Sequence, residues 1–138
     1  MSREDELHAL FKKFSDDAYC KFMGIELLEL RRGYSKVAMT VRDEMLNFHG
    51  VAHGGAILSL ADAAFAAASN SHNKVAMALS ITINYRHPVS KGVRLIAEAV
   101  EESLGQRTAL YRMTVTTEKG DLVAVCQGLV YRWEKALV

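Results

Sequence analysis

The spacing of apolar side chains changes period several times along the chain, and each change marks an element. Leu7, Leu10, Phe11 and Phe14 fall at helical spacing within Glu4–Phe14, which predicts a short amphipathic helix. A second helical turn over Asp17–Met23 stops at Gly24, a residue suited to a helix end. Ile25–Arg31 and Tyr34–Val41 read as strands, with Arg32-Gly33 as the turn between them. Asp43–Ala52 has no clear period and reads as loop. The next stretch, HGGAILSLADAAFAAASN from His53 to Asn70, predicts the one long helix. Strand-like runs follow: Val75–Tyr85, ended by Pro88, which has no donor for a ladder; Val93–Val100, opened by Gly92; Thr108–Thr117, after Gly105; and Leu122–Trp133, after the turn Lys119-Gly120-Asp121. Consecutive strands with short turns pair antiparallel, so the order predicts a single α+β domain over residues 1–138, one helix lying across one antiparallel sheet.

Composition narrows the function classes. Apolar residues make up 50% of the 138 and charged residues 24%, enough for a real core without metals or disulfides. Lys plus Arg is 17 against 16 Asp plus Glu, which gives no broad attraction for nucleic acid or an anionic membrane. Cys20 and Cys126 are far apart and belong to no metal-spaced cluster; they read as two reduced thiols, and no metal is expected. The amino terminus lacks the basic start and apolar run of a signal peptide. The longest apolar stretch, Ala56–Ala68, is too short to span a bilayer and contains Asp62. The expectation is a soluble cytoplasmic protein.

The central helix poses the functional question. Its apolar residues cover every side, so it should be buried on every side. One sheet covers only part of a helix, and a second copy of the chain is the simplest cover for the rest. Asp62 then sits in a largely dry place, where an unpaired carboxylate would cost several kcal/mol. It must be hydrogen-bonded as a structural anchor, protonated, or facing a cleft. Gly54-Gly55 stands at the helix start, where unpaired N–H groups and a partial positive charge gather and a ligand atom can come close to the backbone. No lysine follows in the manner of a nucleotide-binding loop. Asp62 lies seven or eight residues beyond the glycines, roughly 10–12 Å along a helix axis, too far for both to act on one carbonyl from the same chain. Two such helices paired antiparallel about a twofold would carry each Asp62 towards the partner's glycines and make two equal sites. An N–H for an oxyanion and a carboxylate to attack or deprotonate form acyl-transfer apparatus.

The run N-F-H-G-V-A-H-G-G-A-I-L-S-L-A-D, Asn47–Asp62, resembles the PaaI-like, phenylacetate-pathway branch of hotdog-fold acyl-CoA thioesterases. The later I-N-Y-R-H-P-V-S-K-G, Ile83–Gly92, looks like that family's strand followed by proline and glycine. The resemblance implies a hotdog fold: a long central helix wrapped by a curved antiparallel sheet, here with a short N-terminal helical segment. It implies homodimers, often paired into homotetramers, and hydrolysis of a CoA thioester in which CoA is part of the substrate and no separate cofactor is needed. It also implies roles. Asp62 is the carboxylate catalyst, nucleophile or general base; Gly54 supplies an N–H to the thioester oxygen, with Gly55 beside it; His53 and Asn47 line the same pocket. One departure is Ala63, where many relatives carry Ser or Thr that can assist water or carboxylate. The single proline, Pro88, lies well past the motif and speaks against the related dehydratases and hydratases.

The remaining candidates rest on chemistry. CoA carries phosphates, so Arg86, His87 and Lys91 after the Tyr85 strand, and Arg107 at the next hairpin, are candidates to hold them; a solvated surface is the alternative for each. Met45, Leu46, Phe48, Leu58, Phe65 and Tyr85 could line an acyl pocket or simply form core. His53 could instead bond backbone at the helix start, and Asn47 could be a turn residue. The resemblance favours aryl or medium-chain acyl groups. An acyl-CoA-binding sensor that hydrolyses nothing is the rival reading, but such a module has no need of a carboxylate facing the thioester.

Overall fold

The computed structural model describes residues 1–138. Local chemistry sets the helix ends. Ser2 Oγ accepts the Asp5 N–H at 3.1 Å while the Asp5 carboxylate accepts the Ser2 N–H at 3.3 Å, a reciprocal cap that starts α1, Arg3–Ser15. Asp17 caps the Cys20 N–H at 2.9 Å and opens α2, Ala18–Met23, which closes on Gly24 in the left-handed region at φ 73°. Strands β1, Glu26–Arg31, and β2, Tyr34–Thr40, follow. A 3-10 turn at Asp43–Met45 and a bridge between Leu46 and Ala52 order the segment that has no period in sequence. The long helix α3 is Gly54–Ser69, with His53 and Asn70 as its caps. After it come β3, Ala76–Tyr85; β4, Arg94–Leu104; β5, Thr108–Thr117; and β6, Leu122–Arg132.

The six strands form one sheet in the order β1-β2-β4-β5-β6-β3, and every pairing is antiparallel. The expectation that consecutive strands pair fails at one point. β3 pairs with β6, and residues 86–93 carry the chain across to β4, which lies between β2 and β5. That connection holds Pro88 and is too long for a tight hairpin. Register shifts interrupt four of the five pairings, at Leu27/Glu29, Ala78/Ser80, Glu101/Ser103 and Val115/Thr116. Each bends its strand and adds twist, and together they curve the sheet round α3. The architecture is the hotdog arrangement, with α1 and α2 leading into it.

Alternation places the core. Leu95, Ala97 and Ala99 of β4 and Ala109, Tyr111, Met113 and Val115 of β5 turn inward. They meet Ile57, Leu60, Ala61, Ala64, Phe65 and Ala68 of α3 in one continuous apolar cluster. The alanines let helix and sheet approach closely, and Phe65 fills the remaining gap against Tyr111 with ring centres 5.9 Å apart. Gly128 of β6 makes room for it: a Cβ there would lie 2.5 Å from the Phe65 ring.

Two surfaces are left uncovered. On α3, Gly55, Asp62 and Ala66 are exposed and Ser59 is half-buried, one stripe at helical spacing. The all-round burial expected from composition is therefore incomplete in the single chain. Beside it, β3 is an edge strand whose outer side has no partner, and it shows Met77 (61% exposed) and Leu79 (59%) to solvent. No helix is long and apolar enough to cross a membrane.

Candidate active site

The start of α3 is set by its donors. The Gly55 N–H donates to His53 Nδ1 at 2.9 Å, and the Ala56 and Ile57 N–H groups donate to the His53 carbonyl at 2.9 and 3.3 Å. Gly54 is the member of this first turn whose N–H has no partner. Its carbonyl is held from behind by the Tyr85 hydroxyl, which donates to it at 2.8 Å. Burial, then the neighbouring Cys126, keeps that phenol above its ordinary pKa and so protonated for the task. The peptide that carries the Gly54 N–H is fixed by the His53 carbonyl, which accepts from Ala56 and Ile57, and a helix N-terminus with one free amide held in this way can receive an oxygen that gathers negative charge.

Around that amide lies a cleft of about 380 Å³, lined by Asn47, Gly54, Tyr85, Arg86, His87 and Pro88 among others. Asn47 shapes its loop: Oδ1 accepts the His49 and Val51 N–H groups at 2.9 and 3.4 Å. His87 Nδ1 faces the Leu122 carbonyl at 2.9 Å, which places its proton on that nitrogen. Five of the sequence candidates thus meet in one place.

Asp62 is elsewhere. It lines a second cavity of about 360 Å³ between α3, the N-terminal helices and the start of β3, with Tyr19, Cys20, Ser59 and Met77. Solvent reaches the carboxylate along one side of the single chain, but the protein packed on its other sides governs its charge. That burial, and then the charge of Asp17, raises its pKa above the ordinary carboxylate value. Cys20 beside it is no rival nucleophile. Burial first, then the hydrogen bond the thiol donates to Asp17, pushes it up to about 12.

Other candidates stand apart. His53 uses Nδ1 to cap α3, as its backbone-bonding alternative describes, and its exposed ring faces a separate groove with Tyr19, Phe22 and Gly55. The Gly55 amide, bonded to His53, has no donor left for a second acceptor. Lys91 lines neither cavity and pairs with Asp43 at 3.1 Å. Arg107 lies at the opposite end of the sheet from Gly54, where its carbonyl accepts the Arg132 N–H. Among the acyl-pocket candidates, Met45 and Phe65 are core, whereas Phe48 is 94% exposed on its loop. No group of side chains is arranged to hold a metal ion.

Two hydroxyls near Asp62 were not singled out from sequence. Ser59, one turn before it on the same stripe, donates to the Gly55 carbonyl at 2.9 Å and lies 2.8 Å from the Tyr19 hydroxyl. The spacing of Ser59 to Asp62 was the available signal; nothing in sequence linked Tyr19 to the helix. With Ala63 lacking a hydroxyl, this pair is what the chain offers beside the carboxylate.

The family model described as Thioesterase superfamily matches residues 49–124. The acyl-coenzyme A thioesterase PaaI of Escherichia coli (strain K12) is 36% identical over 91% of this chain and 87% of its own. A solved structure of the E. coli PaaI protein, from the phenylacetic acid degradation operon, superposes with a TM-score of 0.89 at 34% identity, covering 97% of this chain and 95% of that one. A mutant of the phenylacetic acid degradation protein PaaI from Thermus thermophilus is 44% identical with a TM-score of 0.82, over 85% of this chain and all (100%) of that one. The smu.793 protein of Streptococcus mutans UA159, solved bound to acetyl CoA, is 28% identical with a TM-score of 0.78, over 81% and 90% of the two chains. With the family model spanning more than half its length, the chain belongs to the thioesterase superfamily, as a PaaI-like member with the hotdog fold, and is a thioester hydrolase.

Proposed function

We propose that the protein hydrolyses acyl-CoA thioesters to a free acid and CoA, in a cytoplasmic homodimer that builds two equal sites. In each site the Gly54 N–H of one protomer binds the thioester oxygen, and Asp62 of the other attacks the carbonyl carbon or takes a proton from water. By the first route the carbon–sulfur bond breaks as CoA leaves, and water then hydrolyses the mixed anhydride; by the second, the activated water adds to the carbonyl and the carbon–sulfur bond then breaks, with the proton taken by Asp62 returned to the departing CoA sulfur. In both, the oxygen carries the transient negative charge, and a fixed amide stabilises it.

The observation that carries this reading is the division of the parts. The free Gly54 amide and the Asp62 carboxylate lie on one helix but in two different cavities, so neither cavity is complete in one chain. The uncovered stripe of α3 and the open edge of β3 lie on the same side of the molecule and supply the surface for a second copy. A long edge strand with exposed apolar side chains needs such a cover. Arg86 and His87 line the Gly54 cleft and are the side chains we assign to the CoA phosphates. The acetyl CoA bound to the S. mutans relative supports the substrate class, and the phenylacetic acid degradation named for the PaaI relatives supports an aryl-acetyl group. Pairing of dimers into a tetramer is part of the same proposal.

The direct test is release of free thiol from a panel of acyl-CoAs. Asp62→Asn should keep the fold and acyl-CoA binding and lose about 10²–10⁴-fold in turnover, the range for a positioned acid–base group. Turnover that survives in Asp62→Asn would overturn the assignment.

A further inference from the structure

The cavity beside Asp62 bears on which acyl groups the protein accepts. Its walls are mainly apolar: Phe14 and Cys20 from the N-terminal helices, Ala63, Ala66 and Ala67 from α3, and Met77 from β3. Its volume, about 360 Å³, is near the lower end of the range that holds small organic ligands. It is also blind. Past Phe14, Cys20, Ala63 and Ala67 there is only a recess of about 30 Å³, closed by Ile25, Leu27 and Val37 of the sheet wall. Phe14 and Ala67 line both spaces and so stand at the division between them. The Tyr19 hydroxyl, 2.8 Å from Ser59 Oγ, ties α2 to the central helix and holds this wall in place.

We propose that this cavity is the acyl chamber and that the N-terminal helices limit its depth. Phe14 ends it, and the alanine floor Ala63, Ala66 and Ala67 sets its width. An acyl group enters with its carbonyl at Asp62 and its tail towards Phe14. An aryl-acetyl group or a medium chain fits; a long fatty chain meets a closed end. The inference rests on the acyl-CoA thioesterase reading and adds to it the residues that choose the substrate.

The test is kcat/KM for acetyl-, hexanoyl-, phenylacetyl-, decanoyl- and palmitoyl-CoA with wild type, Phe14→Ala and Ala66→Leu. Wild type should favour hexanoyl- or phenylacetyl-CoA and fall by about tenfold or more at palmitoyl, the scale on which an apolar pocket discriminates. Phe14→Ala joins the recess to the chamber and should raise decanoyl relative to hexanoyl by about tenfold. Ala66→Leu, which narrows the floor, should lower phenylacetyl relative to acetyl by about tenfold. Two results overturn the assignment: a wild type that prefers palmitoyl, or a pair of folded variants whose chain-length profile matches wild type. A wild type that hydrolyses no thioester is a separate result, which removes the thioesterase reading itself and this inference with it.

Discussion

Asp62 shows how far one side chain can be argued from its surroundings. Burial and the charge of Asp17 raise its pKa, so activity that needs the carboxylate should fall as pH drops through a value above the ordinary 3.8 of an aspartate. A pH profile of kcat/KM should show that acidic limb, and a limb at or below the ordinary aspartate value would contradict it. The same shift has a sign for stability. The folded state holds the proton more tightly than the unfolded chain, so the ionised form weakens the fold as pH rises from the ordinary value through the raised one. Asp62→Asn should therefore be at least as stable as wild type at neutral pH, with the gain disappearing in acid, as urea midpoints at several pH values would reveal. Lower stability of Asp62→Asn at neutral pH would mean that the carboxylate is a structural anchor. The other residue at issue, Gly54, owes its part to its neighbour: His53 takes the Gly55 N–H on its ring and the Ala56 and Ile57 N–H groups on its carbonyl, which leaves the Gly54 donor free.

At the scale of elements, the helix–sheet contact is where packing leaves least room. Gly128→Ala would put a methyl 2.5 Å from the Phe65 ring. Overpacking of this kind typically costs about 1–3 kcal/mol, to be read from denaturant midpoints. Phe65→Leu in the same chain should recover part of the loss, a coupling expected only of residues in contact. Fully additive effects would contradict the contact. The elements themselves were largely legible in sequence. The His53–Asn70 period marked α3 with both caps, and the alternation Ala109, Tyr111, Met113, Val115 marked β5. What escaped was non-local. β3 alternates as any strand does, and nothing in its residues reveals that β6, not β4, is its neighbour. Glu4–Phe14 reads as an amphipathic helix, but its spacing does not say that Phe14 closes a cavity at Asp62. Arg107 looked as suitable for phosphate as Arg86, because a basic side chain carries no mark of which end of the sheet it occupies, and the pairing of Lys91 with Asp43 is equally unmarked in sequence.

The whole molecule is half of a machine in this account. Sequence foresaw the reason: an 8-residue separation on a straight helix keeps Asp62 about 12 Å from Gly54, and the two do line different cavities. The exposed α3 stripe and the free β3 edge define the face that a second copy must cover. Size measurement at micromolar concentration should accordingly find a dimer or a pair of dimers, and a stable monomer would be incompatible with a shared site. Complementation reaches the claim more closely. Asp62→Asn removes the carboxylate from one kind of chain, and Gly54→Val crowds the amide of the other, so each variant alone should be nearly inactive. In a dimer of one of each, one site keeps both an intact Gly54 and an intact Asp62, while the other site has lost both. Equal amounts of the two variants, dissociated and reassembled, should recover about one quarter of wild-type thiol release, since half the dimers are mixed and each holds one good site of two. A reassembled mixture no more active than its parents would show that Asp62 and Gly54 do not meet across the dimer.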